Sequence, residues 1–192
     1  MNTNEEIIFK SNGWQAINRM GIINENYHTL ILNYRELMNE IVRIQLAPEP
    51  FLLLFHNENL NRYIFNFLAS TSALIDSCRS VMNFYKNTEI HEHYTKNIKE
   101  QFENNSIAVF IKDLRNYQMH YKTTFPYVTP DKQVCFETHE FKQYNRWTKL
   151  SKVFIKKQGD FIILKPLIET YFKMLEPFYM DIYAELTKYH KQ

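Results

Sequence analysis

Glycine is scarce in this chain: Gly13, Gly21 and Gly159 are the only three in 192 residues. Six prolines add few further breakpoints. So few turn formers argue for long helices joined by few loops. They also exclude a glycine-rich loop cradling phosphates. Cysteine is limited to Cys78 and Cys135, which leaves no disulfide framework and no zinc-ligand pattern. No segment approaches the ~18 uninterrupted apolar residues of a membrane span. The start, Met1-Asn2-Thr3-Asn4-Glu5-Glu6, lacks the basic and apolar runs of a signal peptide. The expectation is a cytoplasmic protein with reduced cysteines and no membrane partner.

What is abundant is burial capacity. Apolar residues make up 45% of the chain and aromatics 16%, with 15 Phe and 13 Tyr. A chain of this length and composition fits one domain, residues 1–192, with a sizeable core. The net charge of +2 says little, but its distribution is uneven. Residues 1–105 carry nine Lys/Arg against twelve Asp/Glu, whereas 106–160 carry ten against five. Residues 161–192 are balanced at four each. The middle segment is the one suited to an anionic ligand.

Apolar residues recur at helical spacing in several segments. One helix is expected over about 26–45, through Leu30, Tyr34, Leu37, Ile41 and Ile44, ended by Pro48 and Pro50. Phe51–Phe55 is a short apolar run after it. A second helix runs from about Glu58 to Tyr85, with a small-residue face at Ala69, Ala73, Ser77 and Ser80. A third covers about 89–102, and a fourth runs from Ile107 to Tyr121 behind Asn105 or Ser106 as N-cap. Residues 122–138 read as a β-hairpin around Thr129-Pro130-Asp131-Lys132. Helical pattern returns over about 140–157 and again over 164–189, where Pro177 predicts a kink or break near Met174. The fold class is therefore mainly α, an up-and-down bundle of five or more helices with a small β-hairpin insertion near 122–138.

The fourth helix carries the chemistry. Its sequence Leu114-Arg115-Asn116-Tyr117-Gln118-Met119-His120 pairs an always-charged guanidinium with an imidazole that titrates near neutral pH. At 100° per residue, Phe110, Ile111, Leu114, Tyr117, Gln118 and Tyr121 share the core arc with Ile107. Arg115 and His120 lie about 140° apart on the outer side, with Met119 and Asn116 between them and Asp113 beyond His120. Asn116 and His120, one turn apart, fall on one face. Within one helix only a long Arg side chain reaching around brings the two groups together. A second copy packed across a two-fold axis would converge them instead.

This Arg-Asn-x3-His segment resembles the motif helix of the HEPN superfamily (higher eukaryotes and prokaryotes nucleotide-binding), whose members are helical bundles. The resemblance implies a metal-independent endoribonuclease with no cofactor, acting as a homodimer with a composite site. It further implies a toxin or antiviral defence effector, with RNA as substrate and a cognate antitoxin as partner. By position, Arg115 would stabilise charge on the phosphoryl oxygens, His120 would act as general acid or base, and Asn116 would position one of these groups. The toxin branch often continues His-x-Tyr. Here Tyr121 follows His120 directly, a departure from that branch. The other reading of the same residues is a non-catalytic HEPN-like nucleotide- or RNA-binding or protein-interaction module. A third is a helical structural protein unrelated to the family.

Weaker candidates stand beside these. His91 and His93 flank Glu92, but residues two apart on a helix diverge and no third metal ligand is evident. Asp76 reads as a solvated charge or a neighbour of Arg79. Trp147 with the lysines of 149–157 suits RNA, although Trp147, Leu150 and Phe154 have the spacing of a packed face.

Overall fold

A computed structural model describes residues 11–49 and 58–190; Met1–Glu6, Pro50 and the Phe51–Phe55 run lie outside the described residues. Among the described residues six α-helices carry most of the chain, in the order expected for a mainly α bundle. Helix α1 spans Asn12–Leu46 and α2 spans Glu58–Met82, extended by a 3-10 turn to Tyr85. Helix α1 begins well before the expected start. Ser11 caps it, its hydroxyl accepting from the Trp14 N–H at 3.2 Å. Its buried residues Ala16, Ile23, Leu30, Leu37 and Ile44 repeat every seven. Leu60, Phe67, Leu74 and Val81 do the same on α2. That repeat keeps one seam of each helix against a neighbour over its whole length, and α1 packs along α2. The two glycines in α1, each costing roughly 1 kcal/mol against alanine, fall away from this seam and do not stop it.

Helix α3 spans Glu89–Ile98 and runs on as a π-helical turn, Lys99–Glu103. Helix α4, Ser106–His120, is the motif helix; Asn105 caps it, its side-chain oxygen accepting from the N–H groups of Ile107 and Ala108. The expected hairpin is present as β1, Tyr127–Val128, antiparallel to β2, Val134–Glu137, with Val128 opposite Val134. The sheet has a third strand that periodicity did not reveal. Strand β3, Phe161–Ile163, pairs antiparallel with the other edge of β2, placing Ile162 opposite Phe136. Three residues are too few to display alternation.

The expected helix over 140–157 is shorter than its pattern. Thr138–Phe141 forms a 3-10 turn, and α5 is confined to Lys149–Lys157. Between them Tyr144 and Trp147 turn inward to an aromatic cluster with Tyr117, Phe141 and Phe110. Helix α6, Leu164–His190, follows β3 without a loop and continues through Pro177. The expected break is absent because Leu175, Phe178, Tyr179 and Ile182, all buried, hold both sides of the proline to the core. Tyr27 stacks on Tyr179 and Tyr34 on Phe172, with ring centroids 3.7 and 3.9 Å apart, which fastens α6 to α1. The small-residue face of α2 is only partly used: Ser77 is buried, while Ala73 and Ser80 face outward. No described helix is long and apolar enough to cross a membrane.

Candidate functional site

Helix α4 is gripped on two sides. Phe110, Ile111, Leu114 and Tyr117 are buried as the projection requires. Tyr121 leaves the core arc because the helix has ended; it takes non-helical angles at the C-cap and is exposed. Gln118 is half-buried and donates from its amide to the Thr124 hydroxyl at 2.5 Å.

Asp113 is the larger correction. Projection places it outward, yet it is 6% exposed. Its carboxylate accepts from the Thr148 backbone N–H at 3.0 Å and from the Ser151 hydroxyl at 2.6 Å. Asp113 thus closes the first turn of α5, where the helix dipole also favours a negative charge. Helix α5 lands on that flank of α4, with Phe110 against Phe154 and Trp147, and covers what the sequence leaves open. Thr148 continues the cap, its hydroxyl accepting from the Ser151 N–H. Burial raises the Tyr117 phenol above its ordinary pKa, with Glu140 adding to the effect. Its hydroxyl donates to the Glu140 carbonyl at 3.4 Å.

On the other flank of α4, a cleft of about 650 Å³ opens towards α2 and the start of α5. Ile75, Ile98, Phe102, Ala108 and Tyr171 give it an apolar floor. Arg79, Lys112, Arg115 and Lys149 stand around it with Asp76, Glu103 and Asn116. Asp76 is engaged by Arg79 at 2.9 Å, as its position three residues away allows. Lys112 and Arg115 therefore face the cleft as cations with no carboxylate bonded to them among the described residues. The N–H groups of Lys149 and Leu150, in the first turn of α5, also have no partner among the described residues. Such a turn accepts anions readily.

Arg115 is half-buried, and its guanidinium bends round the helix so that Nη1 donates to the Asn116 side-chain oxygen at 3.3 Å. Its Nε is fully enclosed and has no hydrogen-bond partner among the described residues. Asn116 lies about 40° from His120 and one turn before it. The reach of Arg115 thus spans most of the angle that separates the two motif residues. His120 is exposed at the C-terminal end of α4 and does not line the cleft. The structure brings Arg115 and Asn116 together and leaves His120 outside. Lys112, midway between them in projection, is the member of the site that motif reading passed over.

The remaining candidates resolve simply. His93 binds the Asp181 carboxylate at 2.7 Å, with Asn97 donating to the same oxygen at 2.6 Å, which ties α3 to α6. Among the described residues no group of three or more His, Cys, Asp or Glu could hold a metal ion. Trp147 is buried and its indole N–H donates to the Phe141 carbonyl at 2.8 Å, so it belongs to the core. No family model, no curated protein and no solved structure matches the chain. What the fold and site define is a mainly α-helical domain with a cation-lined cleft on its Arg-Asn-x3-His helix.

Proposed function

We propose that this protein is a metal-independent endoribonuclease of HEPN type, acting on RNA as a homodimer with a composite site. The observation that carries the reading is the Arg115 guanidinium, drawn over Asn116 in a cation-lined cleft one helical turn from His120. A guanidinium there can hold two phosphoryl oxygens at once. In the reaction the ribose 2′-oxygen bonds to phosphorus and the P–O5′ bond breaks. One imidazole takes the 2′-hydroxyl proton, and another, as imidazolium, delivers a proton to the leaving 5′-oxygen. The products are a 2′,3′-cyclic phosphate and a 5′-hydroxyl. Because His120 stands outside the cleft of its own chain, the two imidazoles converge on the phosphate only where a second copy packs its motif helix against the first. Toxin or defence activity, restrained by a cognate antitoxin, is the cellular role that accords with this chemistry.

Incubating the purified protein with mixed single-stranded RNAs and excess chelator tests the reading. Cleavage that survives chelation and falls at least ~100-fold in both Arg115→Ala and His120→Ala is the expected outcome. No cleavage by the unmodified protein, or cleavage by both variants at the rate of the unmodified protein, overturns it. The position of His120 outside the cleft favours a second reading, a non-catalytic nucleotide- or RNA-binding module. In that case RNA is retained but never cut, Arg115→Glu abolishes retention and His120→Ala leaves it unchanged.

A further inference from the structure

A second concave surface lies on the far flank of α5, away from the Arg115 cleft. It encloses about 420 Å³ between the Thr138–Phe141 turn, α5 and Gly159. Lys142, Lys152 and Lys156 line it, and no carboxylate does. All three lysines are exposed, and none is ion-paired among the described residues. Two acids in the same region have other neighbours: Glu140 lies 4.0 Å from Lys122 and Glu137 lies 3.9 Å from His139.

The wall of this groove is aromatic. Tyr144 is half-buried, with its ring 5.1 Å from that of Trp147 beneath and 5.1 Å from that of Tyr121 beside it. Tyr121 is 53% exposed and follows His120 directly in the chain. Exposed Tyr121 and half-buried Tyr144 therefore lead from the His120 end of α4 to the mouth of the lysine groove. The groove is held open by fixed backbone. The Thr138 hydroxyl donates to the Gly159 carbonyl at 2.7 Å and the Thr138 N–H to the Asp160 carbonyl at 2.9 Å.

A cationic groove entered over aromatic faces is what an unpaired nucleic-acid strand needs. The lysines follow its phosphates, and its bases stack on rings without regard to sequence. A duplex hides its bases and gains nothing from the tyrosines. We propose that the Lys142–Lys152–Lys156 groove, with Tyr121 and Tyr144 at its mouth, is an extended subsite for single-stranded RNA beyond the cut phosphate. This rests on the reading that RNA is the ligand. It adds a surface the motif does not contain and makes the substrate single-stranded.

The test separates binding from cleavage. The probe is a fluorescent 2′-O-methyl oligouridine of about ten nucleotides, which lacks the attacking hydroxyl and so reports binding alone. In the protein carrying Lys142→Glu, Lys152→Glu and Lys156→Glu, affinity is expected to fall at least tenfold. The slope of log affinity against log salt should flatten by about 2, at roughly 0.7 for each lost phosphate contact on a single strand. Tyr121→Ala should weaken binding about tenfold through lost stacking. A matching Lys→Gln triple variant, checked for an unchanged unfolding midpoint, guards against misfolding. Cleavage of the dinucleotide UpU should be unaffected by the lysine changes, while cleavage of long RNA slows. Binding and salt slope equal to the unmodified protein in both triple variants overturn the groove and leave the ribonuclease reading standing. Binding lost in the variants, with no cleavage of ordinary RNA by any form, supports the groove and sinks the ribonuclease reading. No binding of the oligomer by the unmodified protein overturns the groove.

Discussion

At the scale of single residues, Asp113 shows most about how the site is built. It is a buried carboxylate two residues before Arg115, and it spends its acceptor capacity on the start of α5 rather than on a ligand. Asp113→Ala leaves the buried Ser151 hydroxyl and the part-buried Thr148 N–H without that acceptor. The expected loss is about 2–3 kcal/mol, read as a lower denaturation midpoint in urea at unchanged slope. A loss under about 0.5 kcal/mol, within the range of ordinary surface substitutions, would contradict the role assigned to it. Arg115 and Asn116 were legible from the motif; the burial of Asp113 was not. A projection of one helix places side chains around an axis but is blind to where a helix some 30 residues later will land. Nothing in the stretch Thr148-Lys149-Leu150-Ser151 names the acid that closes the start of α5.

Among elements, the contrast is between long helices and short pieces. α2 and α4 were legible nearly to their ends because seven-residue repeats and a capping asparagine mark them. β3 and the true beginning of α5 were not, being set by pairing with β2 and by packing of Tyr144 and Trp147. The turn joining α5 to β3 depends on Gly159, whose φ of 70° lies in the left-handed region. A Cβ there would meet nothing within 4 Å, so the cost of substitution is conformational alone. Gly159→Ala should therefore destabilise by about 1–2 kcal/mol, and Gly159→Asn by less, since asparagine tolerates that region better. Thermal melts of the two variants decide it. Equal midpoints for Ala and Gly would mean that the turn relaxes.

Over the whole molecule, several thiols and phenols in or against the core resist ionisation. Burial pushes the Cys78 thiol up to about 12 and the Cys135 thiol to about 11. It raises Tyr27 to about 12, with Glu176 adding to the effect, and raises Tyr94 and Tyr171 strongly. Each of these groups binds its proton more tightly folded than unfolded. Their contribution to stability is complete below the unfolded pKa and is lost as pH rises through the folded one. Between about pH 9 and 12 the unfolded chain has shed these protons and the folded chain has not. Stability should fall across that window by up to about 1.4 kcal/mol per pH unit for each such group. Chemical denaturation at pH 8 and pH 10.5 measures it; equal stability at the two values would contradict the burial of these side chains. The same burial should make both thiols inert to iodoacetamide in the folded protein at neutral pH.

The enclosed Nε of Arg115 carries one more consequence. An N–H that has left water and met no acceptor among the described residues makes the folded state less stable than its packing allows. An oxyanion bound by the Arg115 guanidinium in the cleft engages the folded chain only, so each increment of ligand shifts the unfolding equilibrium by mass action. The protein is thereby its own sensor. A rise in melting temperature on titration with candidate nucleotides, present with Arg115 and gone in Arg115→Ala, would sort cleft ligands before any RNA target is known.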